Sequence, residues 1–256
     1  MLKLIDSHCH LDQLTDIVGA LERAAQAGVE AVVCVGTNYA SDISNLDLIR
    51  EQQNPKLYLA LGIHPTEIET EKIEAALKFI NENVKAAVAI GEIGLDFWQK
   101  GIKKDPAKKL EQEEVFKKQL ALAKEFDLPV SIHSRGSWQR CLELTQESKV
   151  KKAVFHWYSG PVDILQEIIN AGFFVSATPA LMYSPQHQEA MQSAPAEKIL
   201  LETDSPVFFG ERETGFQAEP KDVFKTLKLL SALKGILEEE LAQITTQNAK
   251  ELFGIN

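Results

Sequence analysis

Short apolar segments recur along the whole chain, and each is followed by a polar turn and usually by a segment with helical periodicity. These segments are rich in Val, Ile and Leu and mostly lack polar alternation, which is typical of parallel strands buried on both faces. They lie at Leu2–Asp6, Ala31–Thr37, Leu57–His64, Ala86–Asp96, Pro129–His133, Ala153–His156, Phe173–Ala177 and Ile199–Asp204. The pattern therefore predicts a parallel sheet of roughly eight strands.

Apolar residues spaced three or four positions apart predict six helices, and these patterns lie at Ile17–Gly28, Ile73–Ile80, Phe116–Ala123, Ile164–Ile168, Val223–Leu230 and Leu237–Leu252. We expect Gly28 and Gly172 to end two of the helices, because glycine readily adopts the left-handed conformation found there. Eight strands alternating with helices over about 250 residues predict an α/β fold, a TIM-like (β/α)8 barrel with an extra C-terminal helix. An open doubly wound sheet is the alternative, but the Gly-rich first turn of that fold is missing after the first strand.

The composition, 45% hydrophobic and 25% charged, is that of an ordinary globular protein and excludes a disordered chain. No apolar run approaches the roughly 18 residues of a membrane-spanning helix, and the first residues turn acidic too soon for a signal peptide. Three widely separated cysteines make a disulfide framework improbable, which predicts a reduced, cytoplasmic protein. Since no linker interrupts the pattern, we expect one domain over 1–256.

The charge balance constrains the partners. The chain has 27 Lys and Arg residues against 37 Asp and Glu residues, a formal net charge of −10. Proteins that bind duplex DNA through bulk electrostatics are usually basic. An anionic substrate would therefore have to be held by a local positive feature.

Five of the six histidines directly follow apolar segments, where the catalytic loops of a barrel begin. The first two, His8 and His10, are separated by Cys9. Side chains alternate along a strand, so the two imidazoles project to the same side and can converge on one metal ion, whereas Cys9 points away and is expected to pack. The sixth histidine, His187, lies in a Ser-Pro-Gln-His-Gln segment and is predicted to be at the surface.

Two acids complete the candidate site. Glu92 emerges from the buried segment Ala86–Ile90, where a carboxylate has to be paired or bound to a metal. Asp204 is the last inward acid of the predicted barrel, so closure would place it beside the first strand. Asp96 is expected to cap or brace its loop, and His64 either contacts the substrate or forms a hydrogen bond within its own loop.

Six motifs taken together resemble the TatD family of metal-dependent hydrolases, a branch of the amidohydrolase-like barrels. They occur in the family's order at Asp6–Leu11, Gly62–Pro65, Gly91–Asp96, Pro129–Arg135, His156–Gly160 and Glu202–Pro206. The segment after the eighth strand departs from the family pattern, and only Glu219-Pro220 fits it clearly. Trp157 and Tyr158 stand where a smaller residue and Phe are more usual.

The resemblance implies a deoxyribonuclease, often a 3′-exonuclease, with two divalent metal ions. By family correspondence, one ion is held by His8, His10 and Asp204, the other by His133 and His156, with Glu92 between them. Mixed imidazole and carboxylate ligands suit Zn, Mn or Ni, whereas the family habit is Mg. In this hypothesis the metals activate a water molecule, and Asp204 and Glu92 are the catalytic carboxylates.

We expect DNA as the substrate, held by His64, Arg135 and Trp157. An aromatic ring that stacks on an unpaired base suits single-stranded or frayed 3′ ends, although Trp157 and Tyr158 could equally serve in packing. The alternative function is an amidohydrolase or a carboxylic or aminoacyl ester hydrolase that uses the same metal site. A metal-stabilised binding protein is a further alternative. Many amidohydrolase barrels carry a modified lysine at the end of the fourth strand, where this chain has Glu92.

Overall fold

The centre of the molecule is a sheet of eight parallel strands that follow one another in chain order. The computed structural model describes residues 2–51 and 54–256. The strands are β1 (Leu4–Cys9), β2 (Val29–Val35), β3 (Lys56–Leu61), β4 (Ala87–Gly94), β5 (Val130–His133), β6 (Ala153–Phe155), β7 (Phe174–Ala177) and β8 (Ile199–Leu201). This order confirms the predicted barrel and rules out the doubly wound alternative, in which the order reverses at a switch point.

The sheet closes between the end of β1 and the residues that follow β8. The backbone N–H of Asp204 donates to the carbonyl of His8 at 3.0 Å, and that of His10 donates to the carbonyl of Ser205 at 2.9 Å. Cys9 packs at this seam, with its Sγ 2.8 Å from Ser205 Oγ. Closure therefore joins the first and last motifs of the site.

Helices cover the outside of the barrel. They are α1 (Ile17–Ala27), α2 (Tyr39–Glu51), α3 (Ile73–Asn83), α4 (Pro106–Glu125), α5 (Trp138–Ser148), α6 (Val162–Asn170), α7 (Pro185–Ser193), α8 (Val223–Lys234) and α9 (Glu238–Phe253). Gly28 follows α1 directly with a φ of 105°, and Gly172 lies just beyond α6 with a φ of 86°. Both glycines thus end their helices as predicted. Within the described ranges, no helix is both long and apolar enough to cross a membrane.

The core has two parts, because successive side chains of a strand face opposite sides of the sheet. In β2, Val32 and Cys34 belong to a large cluster that includes apolar residues of the surrounding helices. Val33 and Val35 belong to a separate cluster together with the last residues of the chain, including Phe253. The extra C-terminal helix thereby packs against the second cluster.

The segment after the eighth strand has a structural role. It forms a short antiparallel hairpin of β9 (Phe208–Phe209) and β10 (Phe216–Gln217), with Phe216 paired to Phe209. Glu219 then accepts hydrogen bonds from Arg23 Nε at 3.0 and 2.9 Å. The departure from the family pattern therefore lies in a hairpin that is fastened to α1.

Candidate metal centre

Six of the strands bring acids and imidazoles to one rim of the barrel. Their carboxyl ends all point to this rim because the strands are parallel, so residues far apart in sequence meet there. The residues are His8 and His10 from β1 and its end, His64 after β3, Glu92 in β4, His133 at the end of β5, His156 after β6 and Asp204 after β8. The structure thus assembles all the predicted metal ligands at one place.

The Glu92 carboxylate lies at the centre, and its Oε2 faces the first group of donors. His8 Nε2 and His10 Nε2 lie 3.3 and 3.4 Å from this oxygen. The Oδ1 atom of Asp204 lies 3.6 and 3.3 Å from the same two nitrogens. The nitrogens themselves are 3.3 Å apart. We call His8, His10 and Asp204 the first donor group.

The other oxygen of Glu92, Oε1, faces a second donor group. This group consists of His133 and His156: Oε1 lies 2.8 Å from His133 Nδ1 and 2.7 Å from His156 Nε2. His64 Nε2 also approaches it, at 3.2 Å. The Nδ1 of His64 lies 2.6 Å from Thr66 Oγ1 in its own loop, so the structure shows a loop contact for one ring nitrogen and a site contact for the other.

The spacing of these donors fits a divalent cation. Ligands about 2.0–2.1 Å from a tetrahedral metal lie about 3.3 Å from one another. His10 Nδ1 lies 3.1 Å from the carbonyl of Val35, to which it can only donate, so its Nε2 faces Glu92 and Asp204. A nitrogen that faces two carboxylates requires a positive charge, which either a proton on the ring or a bound cation supplies, and mixed imidazole and carboxylate donors are suitable ligands for a transition metal.

Electrostatics keep both carboxylates ionised. Burial opposes the charge on Glu92, but the imidazoles around it, His64 and His156 foremost, hold its pKa well below the usual range. Burial likewise opposes the charge on Asp204, yet its hydrogen bond with His10 and the nearby imidazoles lower its pKa to about 2. Burial lowers the pKa of His10, but the two carboxylates outweigh it and raise the pKa to about 10. Both carboxylates are therefore charged at neutral pH.

Asp96 braces both its loop and a site histidine. Its Oδ1 accepts the N–H groups of Trp98 and Gln99 at 3.0 and 2.9 Å. Its Oδ2 lies 3.1 Å from His133 Nε2 and accepts from Arg135 Nε at 2.9 Å. Burial opposes its charge, but His133 and Arg135 lower its pKa to about 2. The loop-bracing role expected for Asp96 is thus observed, together with a contact to His133.

Two glycines allow the strands around Glu92 to approach closely. A Cβ on Gly94, whose φ is 137°, would lie 2.0 Å from the carbonyl oxygen of His133. A Cβ on Gly91 would lie 2.7 Å from the Cβ of Ser131. Only glycine therefore fits at these positions between β4 and β5.

The metal centre lies in an open cleft of about 1060 Å³. Trp98, Trp157 and Tyr183 line it, and Trp98 is 55% exposed. Arg135 is the one Lys or Arg side chain among the described residues that line the cleft. Tyr158, in contrast, is fully buried and donates its hydroxyl to the carbonyl of Pro161, which leaves it a packing role.

The prediction that His187 lies at the surface is wrong. Its side chain is fully buried. Its Nε2 accepts the backbone N–H of Thr178 at 3.1 Å, and its Nδ1 lies 2.8 Å from the carbonyl of Tyr158. The residue lies in the first turn of α7, where Ser184 caps the helix, and the ring satisfies buried backbone groups after β6 and β7. The residues around His187 in the sequence are polar, so the sequence pattern did not indicate that this face of α7 is buried.

Sequence reasoning also assigned no role to Glu202. This residue is fully buried directly after β8, and its Oε1 lies 3.4 Å from His156 Nδ1. The available signal was its position, since it follows the apolar segment of β8 just as Asp204 does. A charged residue at that point has to be paired.

A (β/α)8 barrel with clustered histidines and carboxylates at its carboxyl rim is the arrangement of a metal-dependent hydrolase. The sequence matches the family model described as TatD related DNase over residues 5–254. The chain therefore belongs to the TatD family, as its motifs predicted.

Individual relatives agree with this assignment. The chain is 32% identical to human deoxyribonuclease TATDN3, over 98% of this chain and 94% of that protein. It is 32% identical to the uncharacterized metal-dependent hydrolase YabD of Bacillus subtilis, over 99% of this chain and 100% of the relative. The crystal structure of YJJV, a TatD homologue from Escherichia coli, superposes with a TM-score of 0.88 at 28% identity, covering 99% and 98% of the two chains.

Proposed function

We propose that the protein is a deoxyribonuclease that hydrolyses phosphodiester bonds at DNA ends with divalent metal ions. The observation that carries the proposal is the arrangement around Glu92, whose two oxygens each face a separate group of imidazoles. Two donor groups that share one carboxylate match the two-metal sites that hydrolyse phosphate esters. The human relative named a deoxyribonuclease supports the same reaction.

The proposal assigns the metal ligands as follows. The first donor group, His8, His10 and Asp204, would hold one ion, and His133 and His156 would hold the other. The Glu92 carboxylate lies between the two groups and would contribute to both sites. Bound divalent cations supply a Lewis acid for the phosphoryl oxygens and lower the pKa of water toward neutrality. The identity of the ions is open among Mg, Mn, Zn and Ni, and the nitrogen-rich ligand set favours the last three.

Asp204 is the proposed general base. Its carboxyl group lies at the border of the cleft and stays ionised because its pKa is held near 2 while His10 remains beside it. An ionised carboxylate at that position can orient an attacking water molecule and accept its proton. Glu92 is more deeply enclosed and is therefore assigned to hold the two ions rather than to receive the proton.

The cleft favours single-stranded or frayed 3′ ends over the interior of a duplex. Trp98 and Trp157 offer aromatic faces on which unpaired bases can stack, a contact that does not depend on base sequence. Arg135, with its side chain 55% exposed, is placed to contact a phosphate near the metal centre. The net charge of the chain is −10, and Arg135 is the one Lys or Arg side chain among the described residues that line the cleft. Such a protein is poorly suited to binding long duplex DNA.

The alternative, hydrolysis of amides or of carboxylic and aminoacyl esters, has less support. Many barrels of that class carry a modified lysine at the end of the fourth strand, whereas β4 (Ala87–Gly94) contains Glu92 and no lysine. Membership of the TatD family favours phosphodiester cleavage as well.

The absence of a candidate membrane span among the described helices is compatible with the proposed cytoplasmic location.

A panel of substrates tests the proposal. The protein, reconstituted with Mg²⁺, Mn²⁺, Zn²⁺ or Ni²⁺, is incubated with single-stranded DNA, a phosphomonoester, an aminoacyl ester and a cyclic amide. We expect metal-dependent release of nucleotides that is lost in Asp204→Ala and retained in Asp47→Ala, a surface control whose partner is Arg50. Cleavage of the amide alone, or DNA cleavage that persists in Asp204→Ala, would contradict the proposal.

A further inference from the structure

Glu202 is a buried acid that belongs to neither donor group. Its side chain is fully excluded from solvent. Its Oε2 has no hydrogen-bond partner among the described residues, and in the same part of the chain no Lys or Arg pairs with it. A carboxylate in such a place is costly unless it interacts with a positive or proton-donating group. Its Oε1 accepts the N–H of Trp157 at 3.0 Å, and the group beside it that can carry a positive charge is the imidazole of His156, at 3.4 Å.

His156 faces a carboxylate with each of its two ring nitrogens. Its Nε2 lies 2.7 Å from Glu92 Oε1, and its Nδ1 lies 3.4 Å from Glu202 Oε1. The ring is stacked on that of His8, with the centroids 4.1 Å apart and the planes 11° from parallel. In this arrangement Nε2 is directed at Glu92, and Nδ1 lies at ion-pair distance from Glu202 without meeting the geometry of a hydrogen bond.

Glu202 also fixes the backbone that follows His156. Its Oε1 accepts the N–H of Trp157 at 3.0 Å, and Ser176 Oγ accepts the same N–H at 2.9 Å. Trp157 has a φ of 41°, in the left-handed region that a bulky residue adopts only when its surroundings impose it. One carboxylate therefore constrains both the ring of His156 and the turn that carries it.

A ligating imidazole needs a lone pair on the metal-facing nitrogen, so its proton must reside on the other nitrogen. We infer that Glu202 is a positioning residue that holds the proton of His156 at Nδ1 and thereby keeps Nε2 free for a divalent cation. The inference rests on the proposed function, because it takes His156 as a metal ligand.

The other histidine of the second donor group has the same arrangement. His133 Nδ1 faces Glu92, and its outer nitrogen, Nε2, lies 3.1 Å from Asp96. Each of these two imidazoles thus lies between the central carboxylate and an outer one. An outer carboxylate that fixes the tautomer of a ligand commonly contributes about 10–100-fold to metal affinity.

The wild-type protein provides the first test. In ¹⁵N-histidine-labelled protein loaded with Zn²⁺, two-bond ring correlations report which nitrogen of each imidazole carries the proton. We expect His156 as the Nδ1–H tautomer. A proton on Nε2, or a ring protonated on both nitrogens in the metal-loaded protein, would overturn the inference without any substitution.

The second test is Glu202→Gln, which keeps the size of the side chain and an acceptor for the Trp157 N–H. We expect Zn²⁺ affinity, measured by competition with a chromophoric chelator, to fall roughly 10–100-fold. We also expect the visible spectrum of the Co²⁺-loaded protein to change. The matched control is Ser176→Ala, which removes the other acceptor of the Trp157 N–H. Among the described residues, the Ser176 hydroxyl makes no hydrogen bond with His156. This control should lower thermal stability and leave Zn²⁺ affinity unchanged.

The outcomes separate the two proposals. If the wild-type protein binds no divalent cation, the proposed function fails. If the wild type binds Zn²⁺ and Glu202→Gln binds it equally well, only the role of Glu202 is refuted. If Glu202→Gln does not fold, as judged by circular dichroism, the Nδ1 proton of His156 in the Zn²⁺-loaded wild type decides. A downfield shift typical of a hydrogen bond to a carboxylate supports the role of Glu202, and the shift of an imidazole N–H without such a bond refutes it.

Discussion

Replacement of the buried His187 by Gln should change how stability depends on pH. Burial lowers the pKa of this imidazole to about 4, and the Tyr158 carbonyl and Glu202 offset the effect only in part. A Gln side chain can accept from Thr178 N–H and donate to the Tyr158 carbonyl as the imidazole does, but it does not titrate. The variant therefore removes the proton and preserves the possible hydrogen bonds.

The size of the effect follows from the two pKa values. In the unfolded chain the pKa of the imidazole is about 6.5, whereas in the folded protein it is about 4. Between these values the unfolded state binds more protons, so the free energy of unfolding falls as the pH falls. The loss from this residue is about 2 kcal/mol between pH 7.5 and pH 5, and reaches about 3 kcal/mol below pH 4.

Urea unfolding followed by circular dichroism, with a chelator present, measures the effect. Wild type and His187→Gln are compared at pH 7.5 and pH 5. The imidazoles of the metal centre, such as His10, titrate in both proteins, so their contribution cancels in the difference between the two pH dependences. We expect the wild type to lose about 2 kcal/mol more than the variant. Equal losses in both proteins would show that His187 is protonated in the folded state and would refute the reasoning.

Four further results are expected. Gly94→Ala should lower the free energy of unfolding by at least about 2 kcal/mol and reduce the amount of bound metal, because the new Cβ would meet His133. The control is Gly101→Ala, where φ is 89° and the surrounding space is open. It should lower the free energy of unfolding by only about 1 kcal/mol, through backbone strain. Addition of Zn²⁺ at about 100 times its Kd should stabilise the protein by about 2.7 kcal/mol in thermal unfolding, and a chelator should reverse this. Trp98→Leu should weaken single-stranded DNA binding by about 1–3 kcal/mol in fluorescence titrations. For the wild type, the slope of log K for DNA binding against log salt concentration should be shallow, near −0.7 per phosphate contacted by Arg135. A slope near −4 would contradict this.

The periodicity of the chain predicted all eight strands but did not indicate every helix. Helix α2 was missed because much of its inner face is polar: Ser41, Asp42 and Asn45 are buried there beside Leu46. Asp42 accepts the backbone N–H of Gly62 at 3.2 Å and so links α2 to the end of β3. A helix that packs through hydrogen bonds has no apolar stripe for a pattern to detect. Helices α5 and α7 were not predicted either.

The candidate site was predictable to the extent that it depends on strand ends. His8, Glu92 and Asp204 each follow or lie within a buried strand, and the parallel sheet carries them to one rim. The roles of His187 and Glu202 were not predictable, since both depend on packing between segments that are distant in sequence. The same holds for His64, whose approach to Glu92 becomes visible only when β3 and β4 are adjacent.

The amino-acid sequence by itself determined the strand rhythm, the barrel class and the inventory of acids and imidazoles, because these depend on local alternation and on which residues end each strand. Only the tertiary structure decided which oxygen of Glu92 faces which histidines and which buried acid lies beside His156. Those relations depend on barrel closure, which sets distances of about 3 Å between atoms that no local pattern relates.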